Sequence, residues 1–371
     1  MNFNMKVLHI ISAPAAGGAE VYVKDLVLNS HNHGLVAEIL FISRAKEVGR
    51  CVSYEKNFLE DLDKMNVKYY FLKEGARRNL LKGYSNYKFI IKKSNPDIVH
   101  SHLLTGNVYH TASLSKKKLV YTHHNIKVGT NKFIFNVLTA RSQSIIGISE
   151  KCSSVLCGIL LKSSRVVTIF NAVDIKRLSI KKEITSLPKT QRKILAVGSL
   201  TEQKNYELMI NVFSSLKRLV NDDLHLYIAG EGSKVYTDKI INLIQKLDLN
   251  NNVTLLGNRN DVPEIMRECD LFLMTSKWEG LPIALIEAQV LGLPSLVTNV
   301  GGCSEVIELT GGGTIVDLGD SESITLELSR YFNDSIYYQK VKDNLADYGS
   351  TLDISCSLKK HVSEYSKCLG R

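Results

Sequence analysis

Residues 5–20 read MKVLHIISAPAAGGAE, and this stretch contains the elements that decide the fold class. The apolar run at 5–11 suits one buried strand, and the small residues and glycines after it form a turn into a helical pattern. A strand that leads through such a turn into a helix is the repeating unit of a parallel α/β sheet. Gly17 and Gly18 allow backbone amides to approach a phosphate closely at the helix N-terminus. Because the turn lacks both common nucleotide-binding glycine patterns, an ordinary strand-to-helix turn is an equal alternative.

The same alternation of short apolar runs and amphipathic segments continues along the whole chain. The predicted strands are 6–11, 37–42, 68–71, 98–101, 119–122, 144–148, 166–169, 193–198, 224–229, 253–256, 271–274, 295–297 and 313–316. We therefore predict an α/β protein with two doubly wound, Rossmann-like domains. The first comprises residues 1–180 and is joined by a C-terminal helix at 352–371; a polar linker covers 181–192, and the second domain covers 193–351.

Composition limits the class of protein. With 371 residues, 44% hydrophobic and 23% charged, the chain has enough apolar content for two folded domains. The seven cysteines form no Cys-x-x-Cys pair, which favours a reducing compartment. Lys6 and His9 interrupt the apolar start, so we interpret it as a strand rather than a signal peptide. No run approaches the ~18 apolar residues that span a bilayer, and a cytoplasmic protein is expected.

A net charge of +10 favours a partner that carries negative charge. Basic side chains concentrate at 73–93, where Arg77, Arg78 and Lys82 are interleaved with leucine, tyrosine and phenylalanine. Such a surface can lie on an anionic membrane, although a solvated helix face is the simpler interpretation of charge alone. No nucleic-acid motif or aromatic stacking platform is present, so no nucleic-acid partner is expected.

Ligands of open α/β sheets bind beyond the carboxyl ends of the strands, so residues just after each strand are the candidates for chemistry. The fifth strand ends in Thr122, His123, His124 and Asn125. A neutral imidazole there can hydrogen-bond a sugar hydroxyl, whereas adjacent histidines on an extended chain point in opposite directions and make a poor metal site. Lone histidines are also often structural.

In the second domain, three strand ends carry polar or glycine-rich segments. Lys204 follows the eighth strand and can bind a phosphate as a cation. Glu279 follows the eleventh strand, and Glu287 lies one to two turns into the next helix, so both carboxylates can contact one elongated ligand; two solvated carboxylates are the alternative. The third segment, residues 299–305, repeats the pattern of a strand, two glycines and an acidic helix start.

Taken in chain order, these segments resemble the retaining GT-B glycosyltransferases of family 4. The resemblance covers nearly the whole chain, and its motifs lie at strand ends. In the first half they are the glycine loop Gly17–Glu20, the Asp-Ile-Val-His-Ser-His stretch Asp97–His102, Thr122–His124, Ser149 and the hinge-side Asn171–Asp174. In the second half they are Lys204–Asn205, Gly230–Gly232 and a Glu-Gly-Leu-Pro stretch that begins at Glu279 and is followed by a second glutamate, Glu287.

The resemblance implies two domains that face each other across a cleft, with a nucleotide sugar between them. Glu287 would bind the ribose hydroxyls, Glu279 would orient the transferred sugar, and Lys204 would neutralise the diphosphate. His124, or alternatively His123, would contact the donor sugar. Further implied donor-binding positions are Gly17, Gly18, Ser199, Asn205, Gly230, Gly280, Leu281, Pro282 and Ile283, and the implied acceptor-side positions are His102, His123 and Asn125.

Two departures from the family pattern stand out. Ser199 occupies a position where the family usually has an arginine, so one diphosphate cation is missing, and Arg259 is a candidate replacement. Ala172 replaces a common glycine beside the hinge and could stiffen that turn. The family needs no metal ion, and neither a metal nor another cofactor is expected here.

The resulting hypothesis is a retaining, metal-independent hexosyltransferase that acts in O-antigen or capsule synthesis. It would transfer a hexose or N-acetylhexosamine from a nucleotide sugar, with UDP favoured over GDP-mannose, to a lipid-linked saccharide on the inner face of the plasma membrane. A soluble or protein acceptor is the alternative within the enzyme class. A nucleotide-binding protein without catalysis is the alternative from a different class.

Overall fold

The computed structural model describes residues 5–180, 187, 192–220, 223–345 and 351–371. The chain divides into two compact units. The first unit combines Met1–Asp174 with Asp353–Arg371, and the second unit comprises Ile175–Leu352.

Each unit contains one sheet in which every strand pair is parallel. The strands are β1 Met5–Ile11, β2 Leu35–Phe41, β3 Tyr69–Phe71, β4 Ile98–Ser101, β5 Lys118–His123, β6 Ser142–Gly147, β7 Val166–Thr168, β8 Arg192–Val197, β9 Leu224–Ala229, β10 Val253–Gly257, β11 Leu271–Met274, β12 Ser295–Thr298 and β13 Gly313–Val316. The order is β3-β2-β1-β4-β5-β6-β7 in the first unit and β10-β9-β8-β11-β12-β13 in the second. Both sheets thus repeat the doubly wound order of Rossmann-like domains, as predicted.

Helices connect the strands in both units. They are α1 Gly18–Asn29, α2 Val52–Lys64, α3 Leu80–Ser94, α4 Leu104–Ala112, α5 Lys132–Thr139, α6 Glu150–Ile159, α7 Ile175–Ser179, α8 Tyr206–Leu219, α9 Lys234–Lys246, α10 Val262–Glu268, α11 Ile283–Val290, α12 Cys303–Thr310, α13 Ser321–Asn333, α14 Ser335–Asn344 and α15 Ile354–Leu369. Strands such as β4, β9, β11 and β12 are buried along their whole length, because helices cover both faces of a parallel sheet.

The boundary between the units lies earlier than the predicted end of the first domain at residue 180. The short helix α7 belongs to the second unit, because Leu178 is buried there and its carbonyl accepts a hydrogen bond from Arg267. The predicted linker 181–192 lies outside the described residues except for Leu187 and Arg192, and Arg192 already begins β8.

The C-terminal helix α15 returns to the first unit. Asp353 caps its N-terminus through the Ser355 amide, and the Ile354 amide donates to the Val173 carbonyl at 2.8 Å. Leu358 and Tyr365 are buried on the side that faces this unit. None of the helices in the described parts of the chain combines the length and apolar character needed to cross a membrane.

Candidate active site

Both sheets reverse their strand order between two central strands, and ligands of doubly wound domains bind beyond the carboxyl ends of such strands. In the first unit these strands are β1 and β4, which precede the Gly17 turn and His102. In the second unit they are β8 and β11, which precede Lys204 and Glu279. The topology of each unit therefore places candidate residues where binding is expected.

Lys204 and Glu279 form a buried ion pair in the second unit. The Lys204 Nζ lies 2.6 Å from Glu279 Oε1, and the side chains are only 16% and 7% exposed. Ser276 Oγ donates to the same oxygen at 2.7 Å, and Gln203 Nε2 donates to Glu279 Oε2 at 3.3 Å. The carboxylate is thus held by three groups from the loops after β8 and β11, and an incoming phosphate would compete with it for Lys204.

Two glycines make this close packing possible. A Cβ on Gly198 would lie 2.8 Å from Lys204 Cε, so a larger residue would displace the lysine side chain where it crosses the end of β8. Gly301 has φ +53°, and a Cβ there would lie 2.0 Å from the Glu279 carbonyl oxygen. The loop that follows β12 is consequently fitted against the backbone of Glu279 and Gly280, and the Gly302 amide donates to the Gly280 carbonyl at 2.6 Å.

Glu287 lies on α11 and is paired with a residue of the short helix α7. Arg177 Nη2 lies 2.8 Å from Glu287 Oε1, and the glutamate side chain is 10% exposed. Since one guanidinium contact engages Oε1, this pair fixes the direction of the carboxylate. Sequence reasoning missed Arg177, because an arginine in a polar, irregular segment gives no signal of its distant partner.

The implied phosphate-binding segment Gly280, Leu281, Pro282 and Ile283 leads into α11 and is buried in this unit. Pro282 is the N-cap residue and Ile283 the first helical residue. The amides of a helix N-terminus favour an anion, and the implied phosphate-binding role stays a prediction.

The remaining donor-side residues lie at the same edge of the second sheet. Asn205 has φ +54° between Lys204 and α8, and its carbonyl accepts from Thr275 Oγ1 at 3.1 Å. Ser199 follows β8 and is partly exposed. Gly230 packs against the backbone of Gly198, because a Cβ on Gly230 would lie 1.9 Å from the Gly198 carbonyl oxygen. Arg259 forms a two-pronged ion pair with Asp261, at 2.7 and 2.5 Å. Asp261 thus already balances the charge of Arg259. The suggested role of Arg259 as the missing diphosphate cation stays a prediction.

In the first unit, the glycine turn begins α1. Gly17 is the N-cap with φ −120°, and the helix starts at Gly18, which is exposed. A Cβ on Gly17 would lie 2.2 Å from Glu20 Oε2, so the glutamate side chain lies directly over the turn. Burial of this carboxyl group raises the pKa of Glu20.

The main polar feature of the first unit is a cluster of histidines in and just after the carboxyl-terminal parts of β1, β4 and β5. His9 Nδ1 lies 3.1 Å from His102 Nε2, and His102 Nδ1 lies 2.9 Å from His124 Nε2. The ring of His100 lies beside His102, with centroids 4.2 Å apart. His9 and His100 were not among the predicted site residues. The sequence did offer one signal for His9, because this histidine interrupts the apolar run of β1.

The C-terminal helix α15 completes this cluster. Tyr365 OH lies 2.6 Å from His100 Nδ1, and Tyr22 OH lies 2.7 Å from Ser357 Oγ. The ring of His361 lies 5.6 Å from that of His100. Residues some 260 positions or more apart in sequence are therefore neighbours around one set of imidazoles.

Burial keeps these imidazoles neutral. Burial is the main reason why the pKa falls to about 3 for His9 and His124 and to about 4 for His123 and His361. Neighbouring histidines add to the lowering of the pKa of His9 and His124. Burial and adjacent histidines also hold the pKa of His102 well below its usual range. At neutral pH the rings act through hydrogen bonds rather than through charge.

His9, His100 and His102 each bring one ring nitrogen within 4.8 Å of the others, which is near enough to consider a metal site. However, His100 Nε2 lies 2.7 Å from Thr122 Oγ1 and its Nδ1 contacts Tyr365. These hydrogen bonds account for the arrangement without an ion. The sequence expectation of a metal-free site stays a prediction.

His123 and Asn125 complete the implied acceptor-side residues. His123 Nδ1 lies 2.9 Å from Tyr121 OH, whereas its Nε2 is buried without a hydrogen-bond partner in the described residues. Asn125 Oδ1 accepts from the Lys127 amide at 3.1 Å and so shapes the loop after β5. Arg77, Arg78 and Lys82 are exposed at and just before the start of α3.

Two family models match the chain. Residues 16–177 match Glycosyltransferase Family 4, and residues 179–348 match Glycosyl transferases group 1. The two matches meet within one residue of each other, close to the boundary between the two units.

Similar proteins are glycosyltransferases. Capsular polysaccharide biosynthesis glycosyltransferase CapH of Staphylococcus aureus is 24% identical over 97% of this chain and 93% of its own length. UDP-Gal:alpha-D-GlcNAc-diphosphoundecaprenol alpha-1,3-galactosyltransferase of Escherichia coli is 28% identical over 68% of this chain and 70% of its own length.

Solved structures share the architecture. Anabaena Alr3699/HepE in complex with UDP and glucose matches with a TM-score of 0.82 and 16% identity, over 98% of this chain and 100% of that protein. At 16% identity, the structural match is evidence for the fold alone. The evidence for the class of enzyme comes from the family models and the relatives. The chain therefore belongs to the glycosyltransferases of the GT-B fold, with a family 4 region followed by a group 1 region.

Proposed function

We propose that this protein is a retaining glycosyltransferase that moves a hexose or N-acetylhexosamine from a UDP-linked donor to a lipid-linked saccharide in surface polysaccharide synthesis. Its relatives support this proposal by name, since one acts in capsule synthesis and another uses UDP-galactose and a diphosphoundecaprenol acceptor. The structural neighbour in complex with UDP supports the choice of nucleotide.

The observation that carries the proposal is the buried Lys204–Glu279 pair beyond β8 and β11. When the bond between the sugar carbon and the phosphate oxygen breaks, negative charge grows on the diphosphate, and a preorganised cation there stabilises the transition state. The acceptor oxygen bonds to the same sugar carbon from the face of the leaving group, and its proton passes to the departing phosphate. Glu279 orients the sugar, and Glu287 binds the ribose.

A thermal-shift screen of nucleotides and nucleotide sugars tests the donor. A ligand at about 100 times its Kd stabilises a protein by about 2.7 kcal/mol, which raises the Tm of a unit of this size by roughly 5 to 10 °C. We expect this shift with UDP and with UDP-sugars. A shift with GDP alone would instead favour the mannosyltransferase alternative.

Transfer to a diphosphoundecaprenol-linked saccharide, followed by mass spectrometry, tests the chemistry. We expect Lys204→Met and Glu279→Ala to lower kcat by about 10² to 10³, as the loss of a transition-state contact does. Lys239→Met is the matched control, because Lys239 forms an ion pair with Glu207 on the exposed surface of the same unit. Equal activity of all three variants would refute the assigned site.

The anomeric configuration of the product and the effect of a chelator test the finer parts of the mechanism. A retaining, metal-independent transferase gives a product with the configuration of the donor and keeps its activity in EDTA. An inverted product or full loss of activity in EDTA would contradict these parts and leave the donor assignment intact.

The proposal also includes peripheral binding to the inner face of the plasma membrane. Arg77, Arg78 and Lys82 are exposed beside Leu81, whose side chain is 84% exposed at the first turn of α3. Each basic residue near an anionic surface contributes about 1 kcal/mol to binding, and an exposed leucine can insert at the headgroup level.

A second apolar surface of the first unit supports the same proposal. Phe133 and Val137 lie one turn apart on α5 and are 76% and 54% exposed. Leu161 is 84% exposed and lies beside them, because its amide donates to Asn136 Oδ1 at 2.8 Å. Exposed apolar side chains grouped in one part of a surface are typical of an interaction site.

Sedimentation with liposomes that contain anionic lipid tests this part. We expect the double variant Arg77→Glu/Arg78→Glu to lose most of its binding. Lys340→Glu/Lys342→Glu carries the same change of charge on exposed residues of α14 and should bind as the wild type does. Equal loss in both variants would mean that only net charge matters.

A further inference from the structure

Three imidazoles in the first unit form a continuous hydrogen-bonded chain. It runs from His9 on β1 through His102 after β4 to His124 after β5. Both links use ring nitrogens, at 3.1 Å between His9 Nδ1 and His102 Nε2 and at 2.9 Å between His102 Nδ1 and His124 Nε2. His102 therefore uses both of its nitrogens within the chain.

A neutral imidazole has one N–H donor and one bare nitrogen acceptor. If His9 donates from Nδ1, then His102 accepts at Nε2 and donates from Nδ1, and His124 accepts at Nε2 and has its proton on Nδ1. If the chain has the opposite direction, all three rings have their protons on Nε2. The two hydrogen bonds thus force all three histidines into the same tautomer.

His124, at the end of this hydrogen-bonded chain, has one ring nitrogen that the chain does not use. His124 Nδ1 is buried and has no hydrogen-bond partner among the described residues. Buried polar atoms without a partner are rare in native proteins and call for an explanation, such as a ligand that the site receives. The rings of Tyr22 and His124 pack in a T-shaped arrangement, with 6.1 Å between centroids, and this contact helps to hold the His124 ring in place.

We propose that His9 and His102 are positioning residues that set the tautomer of His124, so that its Nδ1 offers one defined hydrogen-bonding role to a substrate hydroxyl. The substrate part rests on the proposed glycosyl transfer, whereas the tautomer coupling does not. A group with a fixed donor or acceptor role distinguishes hydroxyl orientations better than one that can exchange roles.

Nitrogen-15 NMR of the full-length protein with labelled histidine tests the coupling directly. Two-bond correlations distinguish rings protonated on Nδ1 from rings protonated on Nε2, and the chain has only ten histidines to assign. We expect His9, His102 and His124 of the wild type to share one tautomer. Mixed tautomers among the three would overturn the proposal without any variant.

His9→Phe retains an aromatic ring but removes the first nitrogen of the chain. We expect His124 to change from one tautomer to a mixture, and kcat/KM for transfer to fall about fivefold, as loss of one hydrogen bond would give. His110→Phe is the matched control, because His110 is equally buried and binds Tyr87 OH at 3.0 Å and the Lys117 carbonyl at 3.0 Å outside the chain. It should leave the His124 signals unchanged.

The results separate the two levels of the proposal. A single, unchanged His124 tautomer in His9→Phe would overturn the coupling. A shifted tautomer with unchanged kcat/KM would overturn its link to transfer. If the wild type turns over no nucleotide sugar at all, the proposed function fails, and the NMR result still decides the coupling.

Discussion

Gly301→Ala tests how the loop after β12 supports the candidate site of the second unit. Gly301 has φ +53°, and a Cβ there would lie 2.0 Å from the Glu279 carbonyl oxygen and 3.0 Å from that of Gly280. Gly292 has a similar φ of +74°, but an added Cβ meets no atom within 4 Å. The pair of variants therefore separates backbone strain from steric overlap within one unit.

The expected magnitudes follow from these two geometries. Alanine in the left-handed region costs roughly 1–2 kcal/mol, of which part is offset by the stiffer unfolded chain, so Gly292→Ala should lower the free energy of unfolding by about 1 kcal/mol. Gly301→Ala adds overpacking of about 1–3 kcal/mol. For a unit of this size the Tm falls about 2–4 °C per kcal/mol, which gives about 3 °C for Gly292→Ala and about 6 to 12 °C for Gly301→Ala.

The fluorescence of Trp278 reports on the part of the second unit that contains Glu279. Trp278 is the single tryptophan of the chain, and it directly precedes Glu279. Its fluorescence during thermal unfolding reports the loop that Gly301 supports, and UDP titration on the folded variants reports the site. We expect Gly301→Ala, but not Gly292→Ala, to shift the emission of the folded protein and to weaken UDP binding.

Two outcomes would refute this reasoning. If both variants lower the Tm equally, the close approach to Glu279 has no energetic consequence. If Gly301→Ala is much less stable but binds UDP as the wild type does, the loop supports the fold and not the site.

Other predictions concern charge in the two units. Burial lowers the pKa of His9 to about 3 and of His123 and His361 to about 4, so the unfolded chain takes up these protons first as the pH falls below about 6.5. Each of these three histidines lowers the free energy of unfolding by about 2 kcal/mol at pH 5, or about 6 kcal/mol together. Because this total is comparable with the stability of a whole domain, circular dichroism should show acid unfolding near pH 5, and the histidines should cause no further change above pH 7. Arg177→Met removes the 2.8 Å contact to Glu287 and should weaken UDP binding about tenfold by calorimetry; an unchanged Kd would exclude a role in binding.

The strands of both sheets could be predicted from the sequence. All thirteen strands of the described residues lie within two residues, at either end, of the predicted ranges. Strands of a parallel sheet are buried on both faces, so their apolar runs are short and continuous and are bounded by polar turns. The helix α7 was not predicted, because it has five residues and its position depends on Arg177 and Leu178 contacting α11 and α10.

The candidate site was predictable in its parts but not in its pairings. Strand ends pointed to Lys204, Glu279 and the histidines after β5, because binding residues of this fold collect there. The partner of Glu287, by contrast, lies 110 residues away in sequence, and His9 lies 93 residues from His102. Such pairs depend on which loops from separate strands come into contact. The hydrophobic periodicity of the sequence does not indicate these contacts.

The buried polar groups around the candidate residues differ between the two units. In the second unit, full charges face each other, as in the Lys204–Glu279 and Arg177–Glu287 pairs. In the first unit, neutral imidazoles bind one another, because burial holds their pKa values far below neutrality. A diphosphate gains charge as it leaves and is stabilised best by fixed cations, whereas a sugar hydroxyl stays neutral and is recognised by a directional hydrogen bond.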